Sequence, residues 1–240
     1  RKIEGELTPE ETACLEALYL GEVVETDRLV GDLLREVDAL GLAGRTLVIV
    51  AGDHGEELGE RGHVGHGRTV FSELTHVPFM VRNPKARVTG RRREPISTLA
   101  IYDYVLEAIE GRTLRTLPPV VSRTFHYNTE RNTAPGTPPK QLNQYSLVRG
   151  SLKYVYTPAT RESDLYDLAA DPGETTDLFG RNPAGEAMAA ELARWISDNR
   201  SVLANDAYMM LTGYARDELE WRSAAEQNLF VDSQHREEWM

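Results

Sequence analysis

One cysteine, Cys14, is present in the 240 residues, so no disulfide can close within the chain and cysteine usage leaves the redox compartment open. No apolar run is long enough to span a bilayer, and no basic stretch followed by an apolar one stands at the start, which reads Arg1-Lys2-Ile3. Lysine is scarce: it occurs only at Lys2, Lys85, Lys140 and Lys153, and the other basic residues are arginines. Positive charge is short overall, with Lys+Arg 27 against Asp+Glu 38 and a net charge of −11. That balance excludes a nonspecific electrostatic grip on a nucleic-acid backbone, so any bound anion has to be met by a local site. Nothing in the sequence assigns a compartment.

The length and the 40% hydrophobic content suit one domain with a smaller companion. Thr8-Pro9-Glu10-Glu11 is a capping box: Thr8 can accept from the Glu11 amide, Glu11 can reach back, and Pro9 takes the first helical position, where no donor is needed. Leu15, Leu18, Val23, Val30, Leu33, Val37 and Leu40 then keep one helical face apolar as far as Gly41, which is placed to cap the C-terminus. Gly21 and Gly31 are points where this helix could bend or split. Cys14, within the same pattern, reads as a small buried apolar residue.

The most informative stretch is 46–66, TLVIVAGDHGEELGERGHVGH. Residues 46–51 form an uncharged β-branched and aliphatic run, expected as a strand buried on both faces of a parallel sheet. Asp53-His54-Gly55 follows at its carboxyl end, the place where open α/β sheets bind ligands. A carboxylate and an imidazole beside a turning glycine suit a metal or a phosphate-like group, and the plain alternative is a helix-capping Asp with a solvated His. A glycine-rich loop continues to Arg68, a helical turn is expected at 69–73, and 77–81 reads as the next buried strand. The basic run 86–94 is expected as a solvated loop, and Ser97 should cap a helix closed by Gly111.

Beyond Gly111 the composition changes. Residues 120–127 have strand character, 133–139 are Pro-rich, and 145–156, YSLVRGSLKYVY, alternate about Arg149-Gly150 as a β-hairpin does. An Asp-Pro-Gly turn stands at 171–173, and 184–200 form an amphipathic helix with Met188, Leu192, Trp195 and Ile196 on one face. The expected organisation is an α/β fold: part of a doubly wound, mostly parallel sheet over 1–111, a smaller C-terminal α+β subdomain of antiparallel sheet plus helix over 112–204, and a charged tail over 205–240.

Three stretches taken together carry a resemblance. GRTLVIVAGDHGEELGERGHVGHGRTVFSELTHVPFMVR at 44–82 resembles the C-terminal half of the sulfatase family, within the alkaline phosphatase superfamily. LTPEETACLEALYLGEVVETDRLVGDLL is similar to that family's long helix before this strand, and SDLYDLAADPGETTDL to its C-terminal signature. The resemblance implies a metal-dependent hydrolase of sulfate esters, with a phosphoester or phosphonate hydrolase, or a noncatalytic sulfatase-like fragment that binds a partner, as alternatives. It implies Asp53 and His54 as metal ligands, His66 as the catalytic group that contacts the sulfate or phosphate, and His63 beside it in substrate binding or simply as a loop hydrogen-bonder. Glu56 is the candidate carboxylate behind His54.

One divalent cation is implied, Ca²⁺ first, with Mn²⁺ or Zn²⁺ as alternatives because imidazole suits those ions better. Sulfatases use a formylglycine nucleophile made within a Cys/Ser-x-Pro-x-Arg motif, which does not occur in these 240 residues. The resemblance therefore places the nucleophile and the first metal-binding Asp pair in an N-terminal half of the same protein, the expected partner of this chain. A small sulfate or phosphate ester is the implied substrate, with no nucleic-acid partner and no membrane segment in this chain. His126 and Tyr127 are further candidates, for shaping the cleft or for core packing.

Overall fold

In a computed structural model the chain is described over residues 7–85, 90–110, 117–124 and 144–199. It divides into two compact units, residues 1–185 and 186–240. His126, Tyr127, the Pro-rich stretch 133–139, Gly111 and the tail 205–240 lie outside the described residues.

The first unit opens with α1, Pro9–Ala39, a single helix that neither Gly21 nor Gly31 divides. Its start is the expected capping box: the Glu11 amide donates to Thr8 Oγ1 at 3.2 Å and the Thr8 amide to Glu11 Oε2 at 2.8 Å. Gly41, at φ +67°, takes the left-handed position past the C-cap that glycine adopts at least cost. Contrary to expectation, no residue of α1 is buried and Cys14 is exposed. The apolar stripe is covered only in part: Leu15, Val30 and Val37 are half-buried, while Leu18 is 64% and Leu33 62% exposed.

Strand β1, Val48–Ala51, leads to the Asp-His pair. The intervening loop carries a two-residue ladder between β2, Glu57–Leu58, and β3, Val64–Gly65, and then the one-turn helix α2, Ser72–Thr75. Strand β4, Phe79–Arg82, returns beside β1 with Val48 opposite Arg82 and Ala51 opposite Phe79. This pairing is antiparallel and corrects the expectation of a parallel pair. A parallel return needs a crossover that carries the chain back along the full strand length, usually a helix, and α2 is a single turn. The expectation of burial on both faces is corrected too: β1 is half-buried with Ala51 exposed, and no further strand flanks the pair among the described residues. Helix α3, Ala100–Glu110, starts after Ser97, whose hydroxyl accepts from the Leu99 amide at 3.3 Å.

The other sheet of this unit is an antiparallel meander of β5, Val120–Thr124, β6, Gln144–Arg149, β7, Leu152–Thr157, and β8, Glu162–Asp167. The hairpin β6–β7 forms as its alternation requires, with Arg149 opposite Leu152 and Gly150 at φ +58° in the turn between them. Here lies the core: Tyr145, Leu147, Tyr154, Val155, Leu165 and Tyr166 are buried. The chain then turns at Asp171, whose carboxylate accepts from the amides of Thr175 and Thr176. Helix α4, Ala184–Asp198, carries the described residues of the second unit, where Met188 and Leu192, one turn apart, are buried. No described helix is long and apolar enough to cross a membrane.

Candidate metal and anion site

The end of β1 is pinned by backbone bonds. The Gly52 amide donates to Pro78 O at 3.0 Å and the Gly55 amide to Leu74 O at 2.9 Å, so the chain runs past Asp53 and His54 along the segment that precedes β4. Gly55 is required there, since a Cβ would fall 1.9 Å from the Glu73 carbonyl oxygen. Asp53 and His54 are therefore held by their backbone and project outward; the Asp53 side chain is 91% exposed.

The His54 amide donates to Asp53 Oδ1 at 2.9 Å, and this bond is the main reason the Asp53 carboxyl is held below its usual pKa. Asp53 Oδ2 lies 3.8 Å from His54 Nε2. Two donors each about 2.0–2.2 Å from one ion can stand at most about 4.4 Å apart, so this pair has the span of a shared ligand set. His54 Nδ1 lies 2.9 Å from Gly55 O, the arrangement of an Nδ1–H donor that leaves Nε2 as the coordinating nitrogen.

His66, at the end of β3, is brought against His54, the ring centroids being 4.0 Å apart. Its Nδ1 lies 2.9 Å from Glu56 Oε2, so Glu56 pairs with His66; the sequence expectation that it would stand behind His54 is corrected. Residue spacing favoured the near neighbour, and the β2–β3 ladder folds residue 66 back over residue 56. Donor atoms of His54, Glu56 and His66 all fall within 4.8 Å of one another. Carboxylate oxygens with two imidazole nitrogens fit a divalent cation, hard enough for Ca²⁺ on the oxygen side and suited to Mn²⁺ or Zn²⁺ on the nitrogen side. His63 is half-buried within the same loop, near enough to Glu57 to favour that residue's anion.

Glu57 follows Glu56 in the family-like run and could cap or bridge, while Arg61 and Lys153 had no role expected from the sequence. Glu57 is fully buried, and its carboxyl is pushed above the usual range by desolvation, relieved in part by the Thr69 hydroxyl at 3.1 Å. Arg61 stacks over Phe71 at 3.8 Å and donates to Gly173 O at 2.8 Å. Lys153 is 1% exposed, with Nζ 2.8 Å from Glu174 Oε1. The signal for Lys153 was there in the sequence, as the one lysine inside an apolar strand run, where an unpaired cation costs too much to remain.

The Sulfatase family model matches residues 10–111. Over 241 aligned residues the chain is 24% identical to arylsulfatase K of Bos taurus, which covers 93% of this chain and 43% of that protein. It is 29% identical over 189 residues to choline-sulfatase of Rhizobium meliloti (strain 1021), covering 72% of this chain and 35% of that protein. Among solved structures, a phosphonate monoester hydrolase from Silicibacter pomeroyi aligns with a TM-score of 0.62 at 21% identity, over 86% of this chain and 44% of that one. The phosphonate monoester hydrolase of Agrobacterium radiobacter aligns with a TM-score of 0.58 at 21% identity, over 79% and 42%. The structural likeness is one of fold, a mixed α/β arrangement with small antiparallel sheets, and the chain spans well under half the length of each of these relatives. Together with the motifs at 7–34, 44–82 and 163–178, these matches show that the chain is similar to members of the sulfatase family, whose model it matches over residues 10–111.

Proposed function

We propose that this chain supplies part of the active site of a metal-dependent hydrolase that cleaves sulfate esters, with Asp53 and His54 as ligands of one divalent cation and His66 acting on the substrate. The observation that carries it is the convergence at the end of β1: Asp53 Oδ2 lies 3.8 Å from His54 Nε2, and the His66 ring packs 4.0 Å from that of His54. When bound, the cation would lower the pKa of the nucleophile and take up charge on an ester oxygen.

The chain's own residues do the rest. Asp53 is anionic at neutral pH, since its carboxyl already lies below the usual range, and so it presents a charged oxygen without a proton to displace. Gly55 O fixes the His54 tautomer. Glu56 accepts the Nδ1 proton of His66, which turns Nε2 toward the substrate side and, in the imidazolium form, lets it donate to a non-bridging or leaving oxygen. On this reading His63, half-buried on the same loop, joins His66 in substrate binding, with a loop hydrogen-bonding role as the plain alternative. The nucleophile is assigned to residues outside these 240, as a formylglycine, since no Cys/Ser-x-Pro-x-Arg motif is present. In that larger protein we place residues 1–111 in the catalytic α/β domain and 112–204 in a smaller α+β subdomain.

The test is made on the complete protein encoded by the gene, with metal content and turnover of aryl sulfate, aryl phosphate and phosphonate monoester substrates measured together. Asp53→Ala should lose both metal and turnover. His66→Ala should keep metal and lose about 10² to 10⁴ in turnover, as removal of a general acid does. Asp53→Ala with normal metal and turnover sinks the ligand assignment, and preference for the phosphonate ester over the sulfate sinks the substrate class.

A further inference from the structure

The loop that carries His66 is held from its far side by the C-terminal meander. Val70 packs in one core with Val155 and Tyr166, flanked by Phe71 and Leu168. The Thr124 hydroxyl donates to Gly67 O, one residue past His66. The Ser72 amide, at the start of α2, donates to Glu174 Oε2 at 2.6 Å, and Glu174 Oε1 meets Lys153 Nζ at 2.8 Å. Lys153 reaches onward to Thr75 Oγ1 at 3.3 Å. On the near side of the loop, Arg61 binds the Glu73 carboxylate and Gly173 O.

Two further observations mark this as a built junction. Glu174 and Lys153 are both buried, which a solvent-facing ion pair would not require. Arg61 at φ +53° and Glu174 at φ +52° both hold left-handed backbone that non-glycine residues avoid, and they stand on opposite sides of the same contact. Such conformations persist where surrounding bonds over-determine them, and they gather at sites where position matters.

We propose that Arg61, Glu73, Lys153 and Glu174 form a clamp through which the C-terminal Asp-Pro-Gly-Glu turn sets the position of the loop bearing His66. These four are positioning residues for the reaction proposed above, and the inference rests on that reading only for its effect on turnover. Without the clamp, the contacts left between the loop and the meander among the described residues are the Thr124–Gly67 bond and the Val70 core, and His66, bonded to Glu56 within the loop, shifts as the loop shifts. A displacement of about 1 Å at an acting group can cost on the order of 10²-fold in rate.

The experiment pairs steady-state kinetics with amide hydrogen exchange on the complete, metal-loaded protein. Arg61→Met keeps the alkyl stem over Phe71 and removes both bonds of the guanidinium. We expect kcat to fall about tenfold or more with KM within about twofold, metal content unchanged, and amides of 59–68 exchanging at least about tenfold faster. Arg61→Lys, which retains one charged donor, should recover part of each loss. Lys153→Met with Glu174→Gln keeps an acceptor for the Ser72 amide while removing the charge pair, and should show the same pattern more weakly. A folded Arg61→Met variant with parental kcat and parental exchange over 59–68 overturns the clamp, as does a variant whose only change is a lower Tm. Should the parent protein hydrolyse none of the esters, the functional reading fails, and the exchange result alone still decides whether the turn holds the loop.

Discussion

Removing the Lys153 charge is expected to be among the most destabilising single changes in the first unit. Lys153 Nζ stands 2.8 Å from Glu174 Oε1, and the two side chains are 1% and 0% exposed. Burial outweighs the attraction of Glu174, so the Lys153 pKa is pushed down from its ordinary value despite the nearby carboxylate. The pair therefore contributes little net stability while it is intact. Lys153→Met reverses that balance, because it leaves the Glu174 carboxylate buried with only the Ser72 amide and no cation. Breaking a buried pair from one side costs about 3–5 kcal/mol. For a unit of this size, that corresponds to a fall in Tm of about 6–20 °C. Lys153→Met/Glu174→Gln removes the stranded charge and keeps an acceptor for the Ser72 amide, so it should recover more than half of the loss. Urea denaturation followed by circular dichroism measures both. A single variant costing less than about 1 kcal/mol, or a double variant as unstable as the single, would refute the reasoning.

Glu57→Gln should become relatively more stable as pH rises. Desolvation raises the folded-state pKa of Glu57 above 4.5, so its favourable contribution is complete below that value and is lost as pH climbs through the folded pKa. The Tm difference between variant and parent should then widen in the variant's favour from pH 4 to pH 7, and a flat difference would show that Glu57 ionises as freely in the fold as out of it. Gly55→Ala should cost about 1–3 kcal/mol and reduce metal retention, because the added Cβ falls 1.9 Å from the Glu73 carbonyl oxygen and the backbone after His54 must move. Metal analysis alongside thermal melts checks it, and a variant with parental values for both would mean that the turn is softer than its contacts imply.

What was legible in the sequence was local chemistry. The capping box Thr8 to Glu11, the left-handed Gly41, the β6–β7 hairpin and the Asp171 turn each depend on residues within a few positions of one another, and each forms as expected. The Asp53-His54 pair at a strand end was legible for the same reason, and His66 entered through the family motif rather than through geometry. Pairing direction was not legible, because a short apolar run looks alike in either sheet; the one-turn α2 between β1 and β4 left only an antiparallel return. Nor could the sequence show that Glu56 would choose His66, ten residues on, over His54, two residues back, since the β2–β3 ladder makes that choice. The exposed Cys14 and the partly covered stripe of α1 follow from what packs against a helix, which its own periodicity does not contain. Lys153 and Glu174 meet across 21 residues of chain. Only tertiary structure could decide that contact, because a buried charge is tolerated where a partner of opposite sign is delivered to it in three dimensions.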